Sequence, residues 1–286
     1  WVSTSKESVP GHESRYAYPE KFQSIAIDLI KLQGKLSAAP MENSAAAKSV
    51  SGRLTMDIPM PDGSTQRFSI VEYSMMEPGL AAQYPDFKTY SGQGIDDPTA
   101  TIKISTTRFG FHSMILSSKG SFFIDPYDQN NKTDYKIYDK KDFKSRIFTC
   151  ETEHDLKEIE KSRNLSNPSA LRTHGTQLRN YRLCVAANGE YTAFHGGTVP
   201  SAMAAVVTSV NRVNGVYENE VAVRLTLIAN NSLVVYTNSA TDPYTNGNGV
   251  TMLTENTNNL NAVIGTANFD VGHVFSTGGG GVATLN

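Results

Sequence analysis

Metal chemistry is the easiest function to recognise from spacing, so the six histidines come first: His12, His112, His154, His174, His195 and His273. No two lie four apart, so no helix of this sequence presents the H-E-x-x-H pair that holds zinc. His12-Glu13 begins such a motif, but Tyr16 stands where the second histidine belongs. No complete zinc site is encoded, and the expected metal ligands within the chain are none. His273 lies in an apolar strand and His195 precedes Gly196-Gly197; both read as packed or loop residues rather than ligands. The serine-hydrolase elbow G-x-S-x-G and the phosphate loop G-x-x-x-x-G-K are absent. The run Gly278, Gly279, Gly280, Gly281 lacks the helix pattern a dinucleotide loop requires. Calcium is possible at Asp96-Asp97 or at the turn 246–249, although neither has the regular spacing of oxygen ligands.

The elements that would position such residues divide into two halves. Of 54 charged residues, 45 lie in 1–180 and 9 in 181–286, whereas asparagine numbers 6 in the first part and 15 in the second. That contrast favours two domains over one. In the first half, Phe22, Ile25, Leu29 and Leu32 or Leu36 recur at helical spacing, predicting a helix over 22–36. An Ala- and Ser-rich linker is expected over 37–48. Alternation over 54–58 and 67–71 around Pro61-Asp62-Gly63 predicts a hairpin, and 101–105, 110–116 and 121–125 continue as strands. The expectation is an α+β unit with a small antiparallel sheet and helices at its edge. A charged helix is predicted over 151–161, then an exposed, protease-accessible stretch over 162–177.

The second half alternates strand and helix, an α/β pattern with a mostly parallel sheet. A strand over 181–185 ends at Asn188-Gly189. A helix begins at Pro200 behind Thr198, carries the stripe Met203, Val206, Val207, Val210, Val213, and ends near Asn214-Gly215. Strands are expected over 219–229 and 233–236, a helix over 250–264, and a last strand over 270–276.

The formal charge of −2 points to no nucleic acid and no anionic membrane. No run approaches the ~20 apolar residues of a membrane span. Two cysteines, Cys150 and Cys184, form neither a disulfide framework nor a Cys-rich zinc site. The chain begins at Trp1 with no basic-then-apolar leader, which reads as a processed chain or a fragment.

Three stretches carry a resemblance: YRLCVAANGEYTAFHGGT (181–198), VNRVNGVYE (210–218) and FDVGHVFSTGGGGVA (269–283). They resemble secreted bacterial metallopeptidases of the reprolysin-like metzincin group. KTYSGQGIDDP (88–98) and IDPY (124–127) resemble the propeptide that precedes such domains. The resemblance implies a propeptide-like domain at 1–165, a linker with the activation cleavage at 166–180, and the N-terminal part of a peptidase domain at 181–286. It places the zinc helix HExxHxxGxxH beyond Asn286, so zinc is implied for the complete enzyme and the catalytic residues lie outside this chain. A polypeptide substrate would join the sheet edge formed by Gly272, His273, Val274, Phe275 and Ser276, with Gly278 and Gly279 at its exit. Arg172 and Arg179 suit the activating cut. Latency in the family rests on a cysteine thiolate or an aspartate, making Cys150 the candidate, with Asp96 or Asp97 as its rivals. Cys150 could instead be buried or pair with Cys184. The implied protein is a secreted zinc endopeptidase precursor. The alternatives are a secreted adhesive or binding module, or a noncatalytic relative that keeps the fold.

Overall fold

A computed structural model describes residues 1–3, 19–128, 131–143, 177–278 and 281–283. The helix expected over 151–161 lies outside them.

Nine strands and two helices build the first part: β1 (Val2–Ser3), β2 (Gln23–Ala26), α1 (Leu29–Leu36), β3 (Leu54–Pro59), β4 (Thr65–Glu72), α2 (Pro78–Gln83), β5 (Lys88–Gly94), β6 (Thr101–Thr107), β7 (Gly110–Ser117), β8 (Gly120–Pro126) and β9 (Asp134–Asp139). Their nine strands form one sheet in the order β1-β2-β9-β8-β7-β6-β5-β4-β3, with every neighbouring pair antiparallel. The small sheet expected from sequence is therefore a large one. It curls until its two edges approach, and the Trp1 indole Nε1 donates to the Asp57 carbonyl of β3 at 2.8 Å. Leu32 and Leu36 of α1 are buried in the core with Ile25, Met56, Phe68, Ile102, Phe111 and Ile137.

The helix expected over 22–36 is corrected. Residues 23–26 pair with β9, Ile25 opposite Tyr135, and the helix begins only after Asp28. Asp28 caps it by accepting from the Lys31 N–H at 3.1 Å, which satisfies one of the helix's orphan donors. The expected linker over 37–48 is ordered: Ala47 is buried, and Pro40 and Glu42 exchange backbone hydrogen bonds with Glu72. The hairpin stands as read, with Leu54 opposite Ile70.

In the second part, β10 (Arg179–Ala187) is the central strand of a three-stranded sheet, flanked by β11 (Val223–Leu227) and β12 (Val271–Phe275) and parallel to both. Between them run α3 (Gly189–Phe194), α4 (Val199–Val221) and α5 (Gly249–Val263). Thr198 caps α4 by accepting from Ser201 N, with Pro200 in its first turn. The helix does not stop at Asn214-Gly215 but continues to Val221, where Ala222 turns left-handed with φ 53°. Asn214 is satisfied elsewhere: its amide donates to the Leu225 carbonyl at 2.9 Å and accepts from the Leu225 N–H at 2.8 Å. Gly215 serves close approach, since a Cβ there would sit 2.5 Å from Met114 Cε and 3.0 Å from Lys103 Cγ. The strand expected over 233–236 is a 3₁₀ turn, Asn231–Val234, followed by a single bridge between Ala187 and Val235.

The parts stack in layers. Helix α4, buried on nearly all sides over residues 201–215, lies between the small sheet and the β6–β7 face of the large one. Its core joins Leu183, Val185, Met203, Val206 and Leu227 to Tyr73, Met75, Leu80 and Phe87 from the first part. On the other face of the small sheet, α5 packs through Met252, Leu260 and Ile264 over Cys184 and Ala186.

Candidate substrate edge and its supports

Strand β12 sits at the end of the order β11-β10-β12 and pairs only with β10 among the described residues. The Phe275 carbonyl accepts from Asn188 N at 3.2 Å, so the main chain of Phe275 faces β10. Backbone groups alternate along a strand, which turns the N–H and C=O of Gly272, Val274 and Ser276 toward the open side. Such a row of unpaired groups is a template for an extended chain.

Side chains fix this edge at both ends. At its start, Arg182 of β10 reaches Asp270, with Nη2 donating to Oδ1 at 2.8 Å and Nη1 donating to the Ala267 carbonyl at 2.8 Å. That pairing holds the Asp270 carboxyl below the usual carboxylate range. At its exit, Asn246 Oδ1 accepts from Thr277 N at 3.2 Å while its Nδ2 donates to Thr277 Oγ1 at 3.0 Å. Asn188, fully buried, donates to the same Asn246 oxygen at 3.0 Å and caps α3 through Tyr191 N. Gly278 packs so closely on the turn that a Cβ would lie 2.7 Å from Gly247 Cα. Beneath the strand, a Cβ on Gly272 would meet Leu260 Cδ1 at 2.6 Å.

The ring of Phe275 stacks on Tyr191 at 5.3 Å, and His273 meets Phe275 edge-on at 4.8 Å. His273 and His195 each stay with aromatic neighbours: His195 lies 4.4 Å from the Tyr191 ring, and burial drops its pKa to about 4, which keeps it neutral. Among the described residues, no group of three His, Cys, Asp or Glu could hold a metal ion. The described side chains therefore do not fit a zinc centre.

The remaining sequence candidates fall apart spatially. Asp96 is taken by Arg67, whose Nη2 donates to Oδ1 at 2.6 Å, and Asp97 by Thr99 and by Lys119 at 3.4 Å. These contacts hold both carboxyls below their ordinary pKa and tie them into loops of the large sheet. The turn at 246–249 is engaged with Thr277 and Asn188 as described. Cys184 is a free thiol, fully buried in β10, and burial pushes its pKa up to about 12. Arg179 is the first residue of β10, and its N–H donates to the Ala222 carbonyl at 2.9 Å, so a cut there would require peeling the strand's start from β11. Cys150, Arg172 and Gly279 lie outside the described residues. Arg182 was not singled out from sequence, and Asn188 and Asn246 were read only as turn residues, the latter in the turn weighed for calcium; the signal available for Arg182 and Asp270 was the rarity of charge after residue 180.

No helix among the described residues is long and apolar enough to cross a membrane. None of the curated proteins compared matches the chain. Among solved structures it is similar to the crystal structure of metalloproteinase-II from Bacteroides fragilis, at 11% identity and a TM-score of 0.38. That comparison covers 82% of this chain and 65% of the other, so the chain spans less than two thirds of that protein. Residues 177–285 match the family model described as Metallo-peptidase family M12B, Reprolysin-like. The segment that builds β10 through β12 thus carries the sequence pattern of the reprolysin-like metallopeptidases.

Proposed function

We propose that this chain is the N-terminal portion of a secreted, zinc-dependent endopeptidase precursor. Residues 1–165 act as the propeptide, 166–180 as the linker cut on activation, and 181–286 as the substrate-edge half of the peptidase domain. The carrying observation is the open edge of β12 inside the segment that matches the metallopeptidase family. A peptide lying antiparallel on that edge would bond to the outward main chain of Gly272, Val274 and Ser276, which selects for extended substrates whatever their side chains. Zinc, which the family implies, would supply Lewis-acid activation of water; its ligands would come from residues encoded after Asn286. This chain's own contribution is to hold the edge flat and in place through Arg182–Asp270 at one end and Asn246–Thr277 at the other. No observation favours the adhesive-module reading.

The test is to extend the protein through the residues encoded beyond Asn286, cut the linker, and assay casein with and without 1,10-phenanthroline. Chelator-sensitive hydrolysis, with an H-E-x-x-H within about 60 residues of Asn286, is the expected result. A stop codon directly after Asn286 in an intact gene would remove the proposal.

A further inference from the structure

Three kinds of contact join the large sheet to the second part, and they differ in kind from a cover laid over a cleft. First, backbone pairing crosses between them. The Leu227 N–H donates to the Met75 carbonyl at 2.8 Å and the Glu77 N–H donates to the Leu227 carbonyl at 2.8 Å, with Met76 bridged in parallel to Leu227. The first part thus adds a short fourth strand to the outer edge of β11, the opposite side from β12.

Second, charge crosses at two sheltered places. Lys103 Nζ of β6 contacts Glu218 of α4 at 2.7 Å; Glu218 also accepts from Arg224 Nε at 2.7 Å, and Arg224 Nη1 reaches Glu42 at 2.6 Å. Tyr73 lies between the two cations, 4.1 Å below Lys103 Nζ and 4.7 Å from the Arg224 guanidinium, while its hydroxyl bonds to Asn211. Two strands further, Arg212 of α4 pairs with Asp125 of β8, which also contacts His112 Nδ1 at 2.7 Å and Tyr138 at 2.7 Å. Third, the apolar core is shared: Met75, Leu80 and Phe87 are buried among Met203, Val206 and Leu227.

Separating the parts would strip partners from sheltered charges on both sides, leaving them uncompensated, and would bare the β11 edge. We infer that residues 19–143 are a permanent core partner of residues 179–275, held without a covalent link, so that cutting the chain between them leaves one two-piece particle. The inference concerns cohesion alone and stands apart from the peptidase reading, since its readout requires no activity.

The experiment uses the full chain with a site-specific protease sequence placed within residues 150–165. Once denaturing gels show complete cutting, size-exclusion chromatography with light scattering at micromolar concentration reads the assembly. The two pieces are expected to co-elute at 1:1 with the mass of the intact chain. The urea concentration that separates them should fall in Asp125→Ala and in the milder Glu42→Gln, and stay unchanged in Asp96→Ala, whose Arg67 partner lies within the large sheet. Separation of the cut pieces in native buffer would overturn the inference, as would Asp125→Ala and Glu42→Gln both separating at the wild-type urea concentration.

Discussion

Removing the Asp125 carboxylate isolates the Arg212 charge at the junction between the large sheet and α4. Burial alone would raise the pKa of Asp125, but the charge of Arg212 and hydrogen bonds from His112 and Tyr138 outweigh it and hold the carboxyl well below the usual carboxylate range. A depressed folded pKa stabilises above the unfolded value near 3.9 and is lost only as pH falls through the folded one. Asp125 therefore contributes fully at pH 7 and through mild acid. Breaking a buried pair costs about 3–5 kcal/mol. The side chains retain 17% and 29% of their exposure, which lets some water reach Arg212 in the variant and favours the lower end. Asp125→Ala should thus lose about 3 kcal/mol, more than a hundredfold in the folding equilibrium. Urea denaturation of the full chain at pH 7, followed by far-UV circular dichroism, reads the change. Pairing Asp125→Leu with Arg212→Met should recover most of the loss, because no charge is then left stranded. A single-variant loss below ~0.5 kcal/mol, the size of an ordinary surface substitution, would refute the reasoning.

Asn231→Ala should cost about 2–4 kcal/mol in the same assay, since its amide donates to the Val185 carbonyl at 2.9 Å and accepts from the Val185 N–H at 2.7 Å, leaving both buried groups bare. Gly189→Ala should cost about 1–3 kcal/mol, because the new Cβ would sit 2.2 Å from Ser239 N and 2.6 Å from Asn238 C, backbone that must move. In a Cys150→Ser background, Cys184 should resist a thiol reagent at pH 8 and react only on unfolding, given burial and a pKa pushed up to about 12; stoichiometric labelling of the folded protein would contradict this.

Local patterns in the sequence carried β3, β4, β6, β7 and β8 of the large sheet, the capped start of α4 at Thr198 and the position of β12. They misled where one pattern served two structures. Phe22, Ile25, Leu29 and Leu32 have helical spacing, yet Ile25 belongs to β2 and pairs in the sheet, and only the Asp28 cap marks the change. Asn214-Gly215 has the composition of a helix stop, but the first is matched to the Leu225 backbone and the second makes room for Lys103 and Met114. The size of the large sheet also escaped, because β2 and β9 pair across 110 residues of chain and neither reads strongly alone. The ion clusters were invisible for the same reason: Asp125 and Arg212 lie 87 residues apart. The edge was legible only through family resemblance, while its openness follows from the order β11-β10-β12.

The most direct measurement is the effect of Val274→Pro on kcat/KM in the extended, activated protein. The Val274 N–H faces the open side, so proline there removes a bond to the substrate while leaving the β10 ladder intact. The account predicts a kcat/KM loss of at least about tenfold, one bond's worth or more, with zinc content and circular dichroism unchanged. Wild-type kcat/KM in that variant would contradict the assignment of β12 as the edge that receives the peptide.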